Sequence, residues 1–112
     1  MPIEAPITPD VVTRPTVDIE FVVVSDEEWE KPYRVIIQND DVTPMDFVVV
    51  VLMTIFELSI DQAYDVMLEA HQNGRALVKV LPLQEAKDRV YTAQSLARDA
   101  GYPLSFYLEP DE

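Results

Sequence analysis

The chain has 112 residues, 48% of them hydrophobic, with 21 acidic side chains against 8 basic ones and a formal net charge of −13. That length suits one compact domain rather than two independent cores, and the composition is that of a globular chain. With no cysteine and one histidine the chain excludes disulfide frameworks, thiol nucleophiles and cysteine–histidine zinc clusters. Its negative charge excludes binding through nucleic-acid phosphates or an anionic membrane and favours a cationic ligand.

The opening residues MPIEAPITPD carry two acids and neither a basic region nor an apolar core, so they do not read as a secretory signal. The longest unbroken apolar run, Phe47 to Met53, falls far short of the roughly 20 residues of a membrane helix. A soluble, cytoplasmic protein is expected. Prolines at 2, 6, 9 and 15 predict an extended, mobile tail over residues 1–16, and VDIEFVVV at 17–24 reads as a strand. DEEWE at 26–30 reads as a solvated linker, or as a tail that touches a basic partner surface. Eight acids and one base fall in residues 1–30, which sets an acidic extension apart from a domain over 31–112.

From Tyr33, YRVIIQ is a short run of aromatic and β-branched residues between Pro32 and the polar NDD, and it predicts a core strand. Thr43-Pro44-Met45-Asp46 offers a hydroxyl cap, proline at the first helical position and a carboxylate in the first turn, so a helix is expected from Pro44. Its body, FVVVVLMTIF, is apolar on nearly all sides and valine-rich, so propensity alone favours a strand; the cap chemistry decides for helix. Ser59-Ile60-Asp61-Gln62 is a capping box opening a second helix to about Gln72. Ile60, Ala63, Tyr64, Met67, Leu68 and His71 recur in it at helical spacing, predicting one buried stripe that ends in the histidine, and Asn73-Gly74 supplies a left-handed stop. ALVKVL at 76–81 is a second strand. Pro82 opens a third helix with Leu83, Ala86, Val90, Ala93 and Ala97 on its apolar face, ended by Gly101, and PLSFYLE at 103–109 is the last strand. The order β-α-α-β-α-β predicts a small α+β domain, a three-stranded antiparallel sheet with helices packed on one face.

The NDD turn, the start of the first long helix, the end of the second at His71 and the last strand are candidates to meet at one end of this fold. Asn39 offers an amide oxygen, Asp40 and Asp41 negative charge, and a neutral His71 one unprotonated ring nitrogen, all of which accept hydrogen bonds from an ammonium group. Met45, Val48, Met67 and Leu104 would supply apolar surface for a side chain attached to that amine. Each residue also has an ordinary structural reading. Asn and Asp between a strand and a helix serve as turn residues, a histidine in a last helical turn complements the dipole, and a Met–Val stripe is core. A metal site or acid–base pair from Asp40, Asp41 and His71 lacks diagnostic spacing and a nucleophile.

The blocks YRVIIQNDDVTPMDFVVVVL, AYDVMLEAHQNGRA and GYPLSFYLE closely resemble the Clp protease adaptor family ClpS over residues 32–109, with its N-D-D-x-T-P-M segment and its M-L-x-x-H helix end followed by glycine. The resemblance implies a non-enzymatic adaptor of the N-end rule that needs no cofactor or metal. Such an adaptor captures proteins with a bulky hydrophobic N-terminal residue and hands them to a Clp-type AAA+ unfoldase, ClpA or ClpC-like. Carried over by motif, Asn39 and His71 would bind the α-amino group directly and Asp40 through water or at longer range. Thr43, Met45, Val48, Met67, Ala70 and Leu104 would shape the side-chain pocket, with Met45 as a gate against β-branched residues. Ala70 stands where the family often has valine, which implies a roomier pocket. Gln84, Lys87 and Arg89 fall in the unfoldase-docking region and depart from the family's more acidic pattern. The acidic lead-in is atypical too, and a role in delivery is expected of it. A rival expectation is an assembly domain with a fold like the C-terminal domain of the ribosomal stalk protein, in which Asn39 and His71 sit apart on a plain surface. A monomer is expected, since the sequence shows no apolar heptad.

Overall fold

The computed structural model describes residues 25–112; the tail expected over 1–16 and the strand expected over 17–24 lie outside the described residues. Ser25 accepts from the amide of Glu28 and caps a short helix α1 (Asp26–Glu30). The acidic run, read from the sequence as a solvated linker or a partner-touching tail, forms a helix with no buried residue. Three of its four acids, Asp26, Glu27 and Glu28, lie in the first turn at the positive end of the helix dipole, and its tryptophan reaches tertiary structure: Lys87 Nζ lies 5.3 Å from the centroid of the Trp29 ring.

Strand β1 (Pro32–Gln38) is central in the sheet, flanked by β2 (Arg75–Pro82) and β3 (Ser105–Pro110), both antiparallel to it. Val35 and Ile37 pair with Leu108 and Phe106 on one side, and their side chains enter the core. Between Val35 and Ile36 the pairing with β2 slips by one residue, so Val78 is extra and the inward phase of β2 moves from Ala76 and Val78 to Leu81. On the opposite face Arg34 stands directly across from Glu109 and forms an ion pair with it.

Helices α2 (Met45–Thr54), α3 (Ile60–Asn73) and α4 (Leu83–Asp99) supply the other half of the core. The greasy segment is a helix, as its start signals predict, yet it begins one residue late. Pro44 has ψ 143° and occupies the N-cap, and Pro82 does the same for α4 with ψ 146°. Proline fixes only φ, so it serves equally as the last extended residue and the first helical one. The capping box of α3 forms as expected: Ser59 accepts from the Gln62 amide at 3.1 Å, and Gln62 Oε1 accepts from the Ser59 amide at 3.0 Å.

The buried stripe of α3 is narrower than its sequence suggests. Ala63, Met67 and Ala70 are buried, but Ile60, Tyr64 and Leu68 remain 55%, 50% and 42% exposed, and His71 is exposed as well. Two apolar flanks at helical spacing look alike in sequence, and only the small alanines let the helix approach its neighbours on one of them. In α4 the expected face holds, with Leu83, Ala86, Ala93 and Ala97 buried and Val90 half-buried.

The turn after α2 has no basic residue of its own to complement the helix C-terminus. Cations come from elsewhere: Lys79 donates to the Phe56 carbonyl at 3.0 Å, and Arg89 to the Ile55 carbonyl. Gly74, at φ 91°, ends α3 in the left-handed region while its amide donates to the Ala70 carbonyl at 2.8 Å. Space for a methyl group exists there, so Gly74→Ala is expected to cost about 1–2 kcal/mol from backbone strain alone, read as a lower urea midpoint at unchanged m-value. Among the described residues no helix is long and apolar enough to cross a membrane, and no cluster of His, Asp or Glu is set to hold a metal ion.

Candidate functional site

β1 ends at Gln38, and the next amide, of Asn39, donates to the Gly74 carbonyl at 2.9 Å. That one bond ties the end of the central strand to the end of α3, placing Asn39 alongside the helical turn that carries Ala70 and His71. Asp40 then organises the turn into α2. Its Oδ1 accepts from the amides of Val42 at 2.8 Å and Thr43 at 2.6 Å, and its Oδ2 accepts from Thr43 Oγ1 at 2.9 Å. The Thr43 hydroxyl, expected to cap the helix, is spent on Asp40 instead, and Pro44 makes no side-chain cap bond.

Burial pushes the Asp40 carboxyl up, but the donors from Thr43 and Val42 and the charge of Arg98 outweigh it, leaving its pKa below the ordinary value of 3.8. The folded turn therefore draws stability from the ionised carboxylate above that value and loses it as the pH falls through the lowered pKa. On the far side, Arg98 Nη1 donates to the carbonyls of Tyr102 and Leu104, each at 2.9 Å. The Tyr102 ring meets Phe47 of α2 edge-on, with centroids 4.9 Å apart. Together these contacts hold the last loop against the start of α2 and bury Leu104.

The elements enclose a cavity of about 290 Å³. Asn39, Asp40, Thr43, Met45, Val48, Met67, Ala70, His71 and Leu104 all line it, so the nine residues singled out in the sequence come together at one place. Thr43, Val48, Met67, Ala70 and Leu104 are buried and form the interior; Asn39, Met45 and His71 are exposed at the rim. The Asn39 side chain and the His71 ring take no part in the hydrogen bonds that hold the turn, which leaves their polar atoms open to the cavity mouth. The arrangement is the reverse of two residues apart on a plain surface.

Ile37, Gln38, Val42 and Pro44 also line the cavity, as does Asp41, and sequence reasoning assigned the first four no part in a site. Only Val42 carried a signal, an apolar residue in a polar turn; it is 63% exposed. Gln84, Lys87 and Arg89 lie in the first two turns of α4 and line no part of the cavity. Gln84 is exposed, Lys87 stands over Trp29, and Arg89 is engaged by the Ile55 carbonyl and by Glu85 and Glu57.

Residues 28–107 match the family model of the ATP-dependent Clp protease adaptor protein ClpS. The chain belongs to the ClpS family. It is 38% identical over 104 residues to the ClpS 2 adapter of Mesorhizobium japonicum, covering 93% of this chain and 99% of the relative. To ClpS 1 of Rhodopseudomonas palustris it is 45% identical over 85 residues, 76% of this chain and 82% of that one. Among solved structures, Agrobacterium tumefaciens ClpS2 bound to L-phenylalaninamide superposes with a TM-score of 0.70 at 41% identity, covering 73% of this chain and 99% of that chain. The ClpS resemblance read from the NDDVTPM and MLEAH blocks, and the small α+β fold that it implied, both stand.

Proposed function

We propose that this ClpS-family chain is an N-degron adaptor, which binds proteins through a bulky hydrophobic N-terminal residue with a free α-amino group and delivers them to a Clp-type AAA+ unfoldase. One observation carries the reading: a single cavity has amine acceptors at its rim and an apolar interior directly behind them. Asn39 and His71 accept from the ammonium group, and the Asp40 carboxylate adds negative charge at longer range because its oxygens already serve the turn. The cavity lies at the small end of ligand pockets, roughly 300 Å³ and upward, which suits one amino-acid side chain. L-phenylalaninamide, bound by the Agrobacterium relative, combines a free amine with an aromatic side chain of that kind.

Thr43, Val48, Met67, Ala70 and Leu104 form the side-chain pocket and Met45, 45% exposed at the rim, is the gate against β-branched residues. A buried Leu or Phe side chain contributes about 1.5–3 kcal/mol and each hydrogen bond to a charged amine about 1.5–3 kcal/mol. Less the entropic cost of association, such sums correspond to roughly micromolar affinity. The adaptor itself performs no chemistry; ATP hydrolysis and peptide cleavage belong to a cytoplasmic partner of the ClpA or ClpC type. Of the candidate docking residues, Gln84 and Lys87 are the exposed ones, whereas Arg89 is occupied in tying α4 to the turn after α2. Residues 1–30 serve delivery rather than capture.

The test is a titration with fluorescent peptides that differ only in the first residue, Leu, Phe, Trp, Ile or Met, beside an N-acetylated Leu control. Micromolar binding of the bulky unbranched residues, lost on acetylation, is expected. Equal binding of free and acetylated ends would overturn the reading.

A further inference from the structure

Val42 lines the cavity, yet 63% of it is exposed, so it stands at the mouth and not in the interior. Its part in the turn is its backbone amide, which donates to Asp40 Oδ1 at 2.8 Å, and any residue except proline supplies that bond. The fold therefore asks nothing of the valine side chain. Met45, the first residue of α2, is 45% exposed at the same mouth. The mouth thus has two kinds of border: the acceptors Asn39 and His71 at the ends of β1 and α3, and apolar surface on the turn and the start of α2. We propose that Val42 is a specificity-determining residue for the second residue of the bound chain, forming with Met45 an apolar ledge that favours a bulky apolar side chain at that position. The proposal rests on the N-degron reading and deepens it.

The tetrahedral α-carbon of the first residue sets the direction of the chain. Its amine is held at Asn39 and His71, and its side chain enters the interior among Val48, Met67, Ala70 and Leu104. Only the carbonyl is left to carry the chain back out, so the second residue passes the rim. Of the residues that line the cavity, Val42 and Met45 are the exposed apolar ones. An apolar side chain laid on them removes surface from water on both partners, whereas a small or polar one leaves the ledge wet. Valine suits such a contact because its branched side chain has little rotamer freedom to lose.

Three peptides beginning Phe-Leu, Phe-Ala and Phe-Asn, alike at all later positions, are titrated against wild type, Val42→Ala and Val42→Thr, with thermal unfolding of each chain. Wild type is expected to bind Phe-Leu about threefold to tenfold tighter than Phe-Ala or Phe-Asn, the effect of one side-chain flank leaving water. Val42→Ala is expected to shrink that preference to about twofold or less, by weakening Phe-Leu while Phe-Ala hardly moves. Val42→Thr, which keeps the branched shape and puts a hydroxyl on the ledge, falls between. A leucine preference that is absent from wild type, or that survives in Val42→Ala, overturns the proposal. So does an equal loss for all three peptides, which would make Val42 part of the first-residue pocket, or a loss that only follows the thermal midpoint. If wild type binds none of these free-amine peptides, the capture reading itself fails and the ledge with it. Binding with no dependence on the second residue leaves that reading standing and removes the role of Val42 alone.

Discussion

Asn39→Ala is expected to weaken binding of a Phe-initiated peptide by roughly tenfold to 150-fold, the equivalent of the 1.5–3 kcal/mol that one hydrogen bond to a charged group carries. His71→Ala is expected to act with similar size. Fluorescence anisotropy measures both. Neither side chain helps hold the turn: Asp40 does that with three accepted bonds, and the Asn39 contribution to the fold is its backbone amide on Gly74. The thermal midpoint should therefore hardly move in either variant. Because both groups would receive bonds from one ammonium, the double variant should lose less than the product of the single losses. Variants that bind as wild type does would remove Asn39 and His71 from the amine site.

Phe56→Ala has the largest effect expected on stability, about 3–5 kcal/mol. The side chain is fully buried, its ring lies 5.2 Å from that of Phe106 with a 39° tilt, and its carbonyl receives the Lys79 ammonium. Phe56 sits just beyond α2, where it packs the turn between two helices onto β3. Truncation opens a cavity in a core whose neighbours are anchored from three sides, leaving little room for collapse. Against a usual total of about 5–15 kcal/mol, such a loss is a large fraction of the whole. Urea unfolding followed by far-UV circular dichroism measures it, and a loss below about 1 kcal/mol would mean that the site relaxes around the gap.

How far the molecule was legible depends on whether a signal is local. The capping box at Ser59 and the glycine stop at Gly74 are written in adjacent residues, and both ends of α3 fall where they predict. α2 was legible only through its start, since four valines in a row carry the propensity of a strand and its helical form rests on the core that receives Val48, Val49, Val51 and Leu52. α1 was not legible: five residues cannot sustain a helix by themselves, and this one is held by the Ser25 cap, the Tyr33 bond to Glu28 and the contact of Trp29 with α4. For the site, the chemistry of Asn39, Asp40 and His71 could be read from residue types. Their convergence could not, because it depends on a backbone bond between Asn39 and Gly74, thirty-five positions apart, for which no local pattern exists. Family motifs supplied that information. The exposure of Ile60, Tyr64 and Leu68 was likewise invisible, as periodicity tells which residues share a flank and not which flank is covered.

The chain has a single tryptophan, and it stands in α1 against Lys87 and lines no part of the cavity. A ligand entering the cavity therefore makes no contact with its ring, whereas anything that lifts α1 or covers the first turns of α4 changes its surroundings. The chain thus carries an optical reporter at α1 and the first turns of α4, outside the lining of the cavity. Intrinsic fluorescence and an extrinsic peptide label, read in the same cuvette, can follow partner docking and ligand capture as two separate signals from an unmodified protein.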